Sequence, residues 1–188
     1  LEREVERIHV EAGRVTGVTT KGGEHFTADR YISNVDPKAT ARLAGAESFD
    51  AKRLDYAYSS GTITLYLGVQ GLDFQEHGFG SHNVWHYPHQ DLNRIYDDQL
   101  LRHDLSNPWL FLSTPTLHSG EPGLCPPGHQ ILEVATSCDH ARMARLRRDD
   151  RRAYNVEKKK IRETILEVIE ANYVPKLREH LSMRVTGT

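Results

Sequence analysis

The chain of 188 residues predicts an α+β fold, an antiparallel or mixed β-sheet packed with helices and preceded by a β-meander. Three observations lead there. Apolar residues alternate strictly in Gly61–Gln70 and again in His129–Ser137, the period of strands with one buried face. Apolar residues recur at helical spacing from Val156 to Tyr173. Short apolar runs separated by glycine occupy residues 3–37, the pattern of successive hairpins.

In the first stretch, Val5, Ile8 and Val10 mark one strand and Val15 and Val18 a second, with Gly13 between them. Gly22-Gly23 supplies the positive φ of a tight turn into a third segment through Phe26 and Ala28. Tyr31-Ile32 is expected to be a buried strand that ends in a loop at Ser33-Asn34. Asp36-Pro37 then opens a helix that Gly45 stops. A polar link is expected over residues 46–58. In the strand that follows, Ile63, Leu65, Leu67 and Val69 face a core, while Thr62, Thr64, Tyr66 and Gly68 face solvent or the wall of a pocket.

Residues 83–88 read as a strand ended by Pro88, and Asp91–Leu101 as a polar, partly helical segment. Trp-Leu-Phe-Leu-Ser at 109–113 is a short apolar strand, and the Pro- and Gly-rich stretch after it is a long loop. Residues 141–152 are basic, the helix beyond carries Val156, Ile161, Ile165, Val168, Ile169 and Tyr173 on its apolar stripe, and Pro175 ends it. Arg184–Thr188 reads as a strand or loop cut in mid-course, and Leu1 is not a start methionine, so an excised fragment is expected.

Composition narrows the function. Lys plus Arg 24 against Asp plus Glu 26 argues against nucleic acid as a partner. Cys125 and Cys138 stand 13 apart without a C-x-x-C, which favours neither a disulfide framework nor zinc. The absence of a long apolar run or a leader predicts a soluble cytoplasmic protein, with peripheral membrane contact through its basic helix face as a further expectation. His82 and His86 have zinc-ligand spacing only on a helix, and this segment reads as a strand, so no metal is expected. Asp104, Ser113, His118, Ser137 and His140 could supply triad chemistry, yet no G-x-S-x-G elbow is present. Cys138 reads as a buried thiol rather than a nucleophile.

The order of motifs carries more. V-x-x-I-x-V, G-R-V-T-G-V, a glycine turn, A-D-R-Y-I-S-N and D-P come first. A Ser-Gly before Y-L-G-V, and P-T with a proline loop before I-L-E-V-A-T, follow in order. Together they resemble the carotenoid desaturase, carotenoid isomerase and retinol saturase group of FAD-dependent, amine-oxidase-like flavoproteins. The resemblance implies that residues 1–36 are part of an FAD-binding domain and 37–188 a substrate domain truncated at its C-terminal end. It implies FAD as cofactor and a long apolar polyene as substrate. Val5 would meet the adenine end of FAD, and Thr64, Tyr66, Trp85 and Tyr87 would line the substrate tunnel. The G-x-G-x-x-G fingerprint is absent from the sequence, so the piece alone is expected neither to retain FAD nor to be active. The alternative reading is a non-catalytic α+β module that binds a small molecule or a lipid surface. Catalytic residues and oligomeric state are left open.

Overall fold

A computed structural model describes residues 2–45 and 51–188, so the first part of the polar link, 46–50, lies outside the described residues. The chain forms two compact units, 1–57 and 58–188, both combining antiparallel strands with helices.

In the first unit β1 (Val5–Glu11), β2 (Arg14–Thr20) and β3 (His25–Phe26) form an antiparallel meander in that order. Gly13 at φ 76° and Gly23 at φ 79° make its two turns, as the glycine positions predict. Helix α1 (Pro37–Ala44) packs on β1. Asp36 caps it by accepting from the Ala39 amide at 2.9 Å, and Gly45 at φ 84° follows its last residue. The expected buried strand at Tyr31-Ile32 is not formed. Residues 27–36 carry no regular structure, and Ile32 is 96% exposed. A strand needs a neighbour for its amides and carbonyls, and β1, β2 and β3 offer this segment none.

The second unit is built on a five-stranded antiparallel sheet in the order β5-β6-β7-β4-β8. Its strands are β4 (Gly61–Gln70), β5 (Val84–His86), β6 (Leu110–Ser113), β7 (His129–Cys138) and β8 (Leu181–Gly187). The centre is β4, paired residue for residue with β7 from Gly61–Cys138 to Gln70–His129. Ile63, Leu65, Leu67 and Val69 are fully buried, with Leu110, Leu112, Leu132 and Val134 of the flanking strands. Helices cover this side: α4 (His140–Asp149) and the long α5 (Arg151–Asn172), which contributes Ile161, Ile165, Leu166 and Ile169. Each large side chain so buried stabilises the fold by about 1.5–3 kcal/mol.

Three helical expectations change. Val156 is 62% exposed, and Tyr154 takes the core position instead. Tyr154 lies seven residues before Ile161, two turns back on the same side, whereas five residues place Val156 roughly 140° around the helix. The proline-rich loop also contains one helical turn, α3 (Pro115–His118), begun by Pro115. The polar segment is helical throughout after its extended cap Asp91: α2 (Leu92–Tyr96) runs into a π-helical turn at Asp97–Leu101.

Candidate functional site

An antiparallel sheet with helices on one side normally turns polar side chains to the other. Here the inward alternation is regular, but several outward positions carry large aromatic and apolar residues in place of polar ones. Register fixes their arrangement. Trp85 pairs with Phe111, Phe111 with Ala135, Ala135 with Thr64, and Thr64 with Gly187. One outward row therefore crosses all five strands, bulky on β5 and β6 and small on β7, β4 and β8. The next outward row is Ser113, Glu133, Tyr66 and Val185. Trp85 is 54% exposed, Tyr66 40%, Met183 50% and Val185 51%. So the face combines an aromatic wall, a floor of small residues and an apolar far edge, with Glu133 and Ser113 between Tyr66 and the wall.

The wall is ordered by its own contacts. The Trp85 ring stacks with Tyr87 at 6.3 Å and with Trp109 at 5.7 Å, and meets Phe111 edge-on at 5.0 Å. Such pairs contribute about 0.5–1.5 kcal/mol each beyond area burial. Trp109 is anchored twice. Its indole Nε1 donates to Ser137 Oγ at 2.9 Å, and its backbone amide donates to Gln99 Oε1 at 2.8 Å. Gln99 is 2% exposed and donates through Nε2 to Thr136 Oγ1 and to the Ser137 carbonyl. Thr136 in turn donates to the Trp109 carbonyl at 2.6 Å. This closed polar network fixes the start of β6, and with it the direction of the indole.

Of the residues expected to line a substrate site, Thr64 and Trp85 share one outward row, Tyr66 lies in the next, and Tyr87 stacks on Trp85. Trp109, Phe111, Met183 and Val185 join the same face and were not singled out from the sequence. The alternation in Trp-Leu-Phe-Leu-Ser already separates Trp109 and Phe111 from Leu110 and Leu112; only the pairing register shows which set faces out.

Val5 belongs to the first unit, on the edge strand β1, where half of the backbone amides and carbonyls have no strand partner. Its side chain lines an apolar cleft of about 1020 Å³ with Ile8, Val15, Tyr31 and Leu43. A pyrophosphate needs a strand that passes through a glycine turn into a helix. Among the described residues no strand does so, and Gly78-Phe79-Gly80 caps a 3-10 turn and sends Phe79 into the core. The residues described here therefore do not fit the whole of FAD.

Four of the five triad candidates are committed elsewhere. Ser137 accepts from Trp109, His118 Nε2 meets the His82 carbonyl at 3.2 Å, and the His140 ring lies 4.6 Å from that of Tyr58. Asp104 accepts from the Ser106 amide, and its hydrogen bonds to Ser106 hold its carboxyl below the usual range. His86 Nδ1 lies 2.9 Å from the Tyr173 hydroxyl, and burial lowers its basicity. No cluster of three or more metal-ligating side chains occurs among the described residues. Burial, then the neighbouring Asp139, pushes the Cys138 thiol up to about 11, which suits an inert core thiol. No described helix is long and apolar enough to cross a membrane.

No protein-family model matches the chain. It is 34% identical over 139 residues to an all-trans-zeta-carotene desaturase of Myxococcus xanthus. The match takes in 69% of this chain and 25% of the relative, so the chain spans about a quarter of that protein's length. Among solved structures it is similar to the PF1083 protein from Pyrococcus furiosus, with a TM-score of 0.48 and 19% identity. That comparison covers 98% of this chain and 36% of the other. The sequence match supports the carotenoid desaturase family for this chain.

Proposed function

We propose that this chain contributes the substrate-binding face of an FAD-dependent oxidoreductase acting on a long apolar polyene of the carotenoid class, by desaturation, isomerisation or saturation. The outward face of the five-stranded sheet carries the proposal, and the likeness to a carotene desaturase favours an oxidoreductase on carotenoids. A conjugated chain is flat, rigid and without hydrogen-bonding groups. A wall of near-parallel rings over a floor of Ala135, Thr64 and Gly187 recognises it through shape and removal from water.

In this reading Trp85, Tyr87, Trp109 and Phe111 bind and orient the polyene, Tyr66 and Val185 bound the floor, and the covered face keeps water from the reacting carbons. FAD supplies the electron-accepting chemistry when bound. The edge of β1 at Val5 is assigned only its adenine end, and no step is assigned to a flavin that these residues do not cradle. The substrate domain is taken as residues 37–188 and the FAD-domain strip as 1–36, within a longer parent protein.

The test is a visible absorbance spectrum of the protein purified from its whole reading frame. A flavin spectrum, released on denaturation, is expected. A colourless, well-folded protein that takes up no added FAD sinks the redox part and leaves a binding module.

A further inference from the structure

The structure also carries a cationic cleft at the α4–α5 junction. Residues 140–152 hold six arginines against two aspartates, a net +4 within a chain of net −2. The positive charge is therefore concentrated here, and the remainder is acidic. Both aspartates are engaged. Asp149 accepts two hydrogen bonds from Arg148, and Asp150 caps α5 by accepting from the Ala153 amide.

The arginines do not simply spread into water. His140, Met143, Arg147, Arg151 and Tyr154 follow one another at three- and four-residue steps across the α4–α5 junction and line a cleft of about 460 Å³. Its floor is apolar at Met143 and the ring of Tyr154, both buried, and Gly61 and Cys138 add strand ends. The guanidinium of Arg151 lies 5.0 Å from the centre of the Tyr154 ring. Neither Arg147 nor Arg151 has an ion-pair partner among the described residues. Two unpaired guanidinium groups at the rim of an apolar hollow leave a site for an anion joined to an apolar body.

We propose that this cleft seats the anionic headgroup of a membrane phospholipid. The phosphate lies between Arg147 and Arg151, whose planar forks pair with phosphate oxygens in a bidentate manner, and the adjoining glycerol and first methylenes lie on Met143 and Tyr154. Arg148 is already held by Asp149 and serves as a bystander. The inference does not rest on the redox reading: a protein with no flavin could have this site, and the enzyme could lack it.

The experiment is co-sedimentation of the protein with phosphatidylcholine vesicles and with vesicles of phosphatidylcholine and phosphatidylglycerol, at moderate salt. Binding is expected only to the anionic vesicles. R147Q/R151Q is expected to weaken it about thirtyfold, at about 1 kcal/mol for each arginine near an anionic surface. R145Q/R152Q removes the same charge from the same segment outside the cleft and is expected to cost less than a third of that change. Equal losses in the two double variants, or equal binding of the unaltered protein to both vesicle types, overturn the proposal. So does thermal stabilisation by inorganic phosphate that depends on Arg147 while neither vesicle binds, which gives the cleft to a soluble phosphate instead. All four arginines are exposed, and retained far-ultraviolet circular dichroism checks that the variants fold.

Discussion

Replacing Trp85 by alanine tests the aromatic face most directly. The side chain is 54% exposed. Of the roughly 250 Å² that a tryptophan can bury, about 130 Å² thus remains for a ligand to cover. At about 25 cal/mol per Å² that area is worth close to 3 kcal/mol if a polyene covers it fully, and about 1.5 kcal/mol if it covers half. The expected loss of affinity is therefore roughly ten- to two-hundredfold. Stability should fall by only about 1–2 kcal/mol, since the three ring contacts are partly wet already. The chain has two tryptophans, Trp85 and Trp109, and both stand on this face. Its tryptophan fluorescence therefore reports on the face, and quenching by zeta-carotene in detergent micelles measures binding, with Trp109 as the reporter in W85A. If folded W85A binds within twofold of the unaltered protein, the face is not the polyene site.

Other expectations concern the scaffold. Leu65→Ala, at the fully buried centre of β4, should cost about 2–5 kcal/mol in urea unfolding, and a loss below 1 kcal/mol would contradict the described core. Gln99→Leu strands the Trp109 amide and should cost about 1–3 kcal/mol, with a shift in tryptophan emission; unchanged stability and emission would show the network to be dispensable. At pH 8 a thiol reagent should label half-buried Cys125 readily and Cys138 only on unfolding. Because the folded-state Cys138 thiol titrates near 11, above its ordinary value of 9.0, its contribution to stability is complete below about pH 9 and is lost as pH rises toward 11. A Cys138→Ala variant should lack that alkaline component, and an identical pH profile in the two proteins would count against the burial argument.

Elements with a strong local signal were legible. The Asp36 cap, the turn glycines, and the alternation in β4 and β7 state their structures in a few adjacent residues. What was lost depends on partners distant in sequence. Tyr31-Ile32 is as apolar as a strand, but no strand lies beside it. Val156 fits a helical stripe until the phase set by Ile161, Ile165 and Ile169 excludes it. The face holding Thr64, Tyr66, Trp85 and Tyr87 was half-legible: alternation showed two faces, but placing Trp85 in line with Thr64 needed three pairing registers.

The sheet order also sets a timetable. Gly68 on β4 pairs with Met183 on β8, 115 residues later in the chain, and with Ile131 on β7. During synthesis at about 5–20 residues per second, β4 waits roughly 6–23 s for the second neighbour. Over that interval one edge of a strand with four fully buried apolar residues stays unpaired, open to any extended segment nearby. Long-range pairing of this kind slows folding, so the newborn chain is most vulnerable to aggregation after β7 has docked and before β8 arrives.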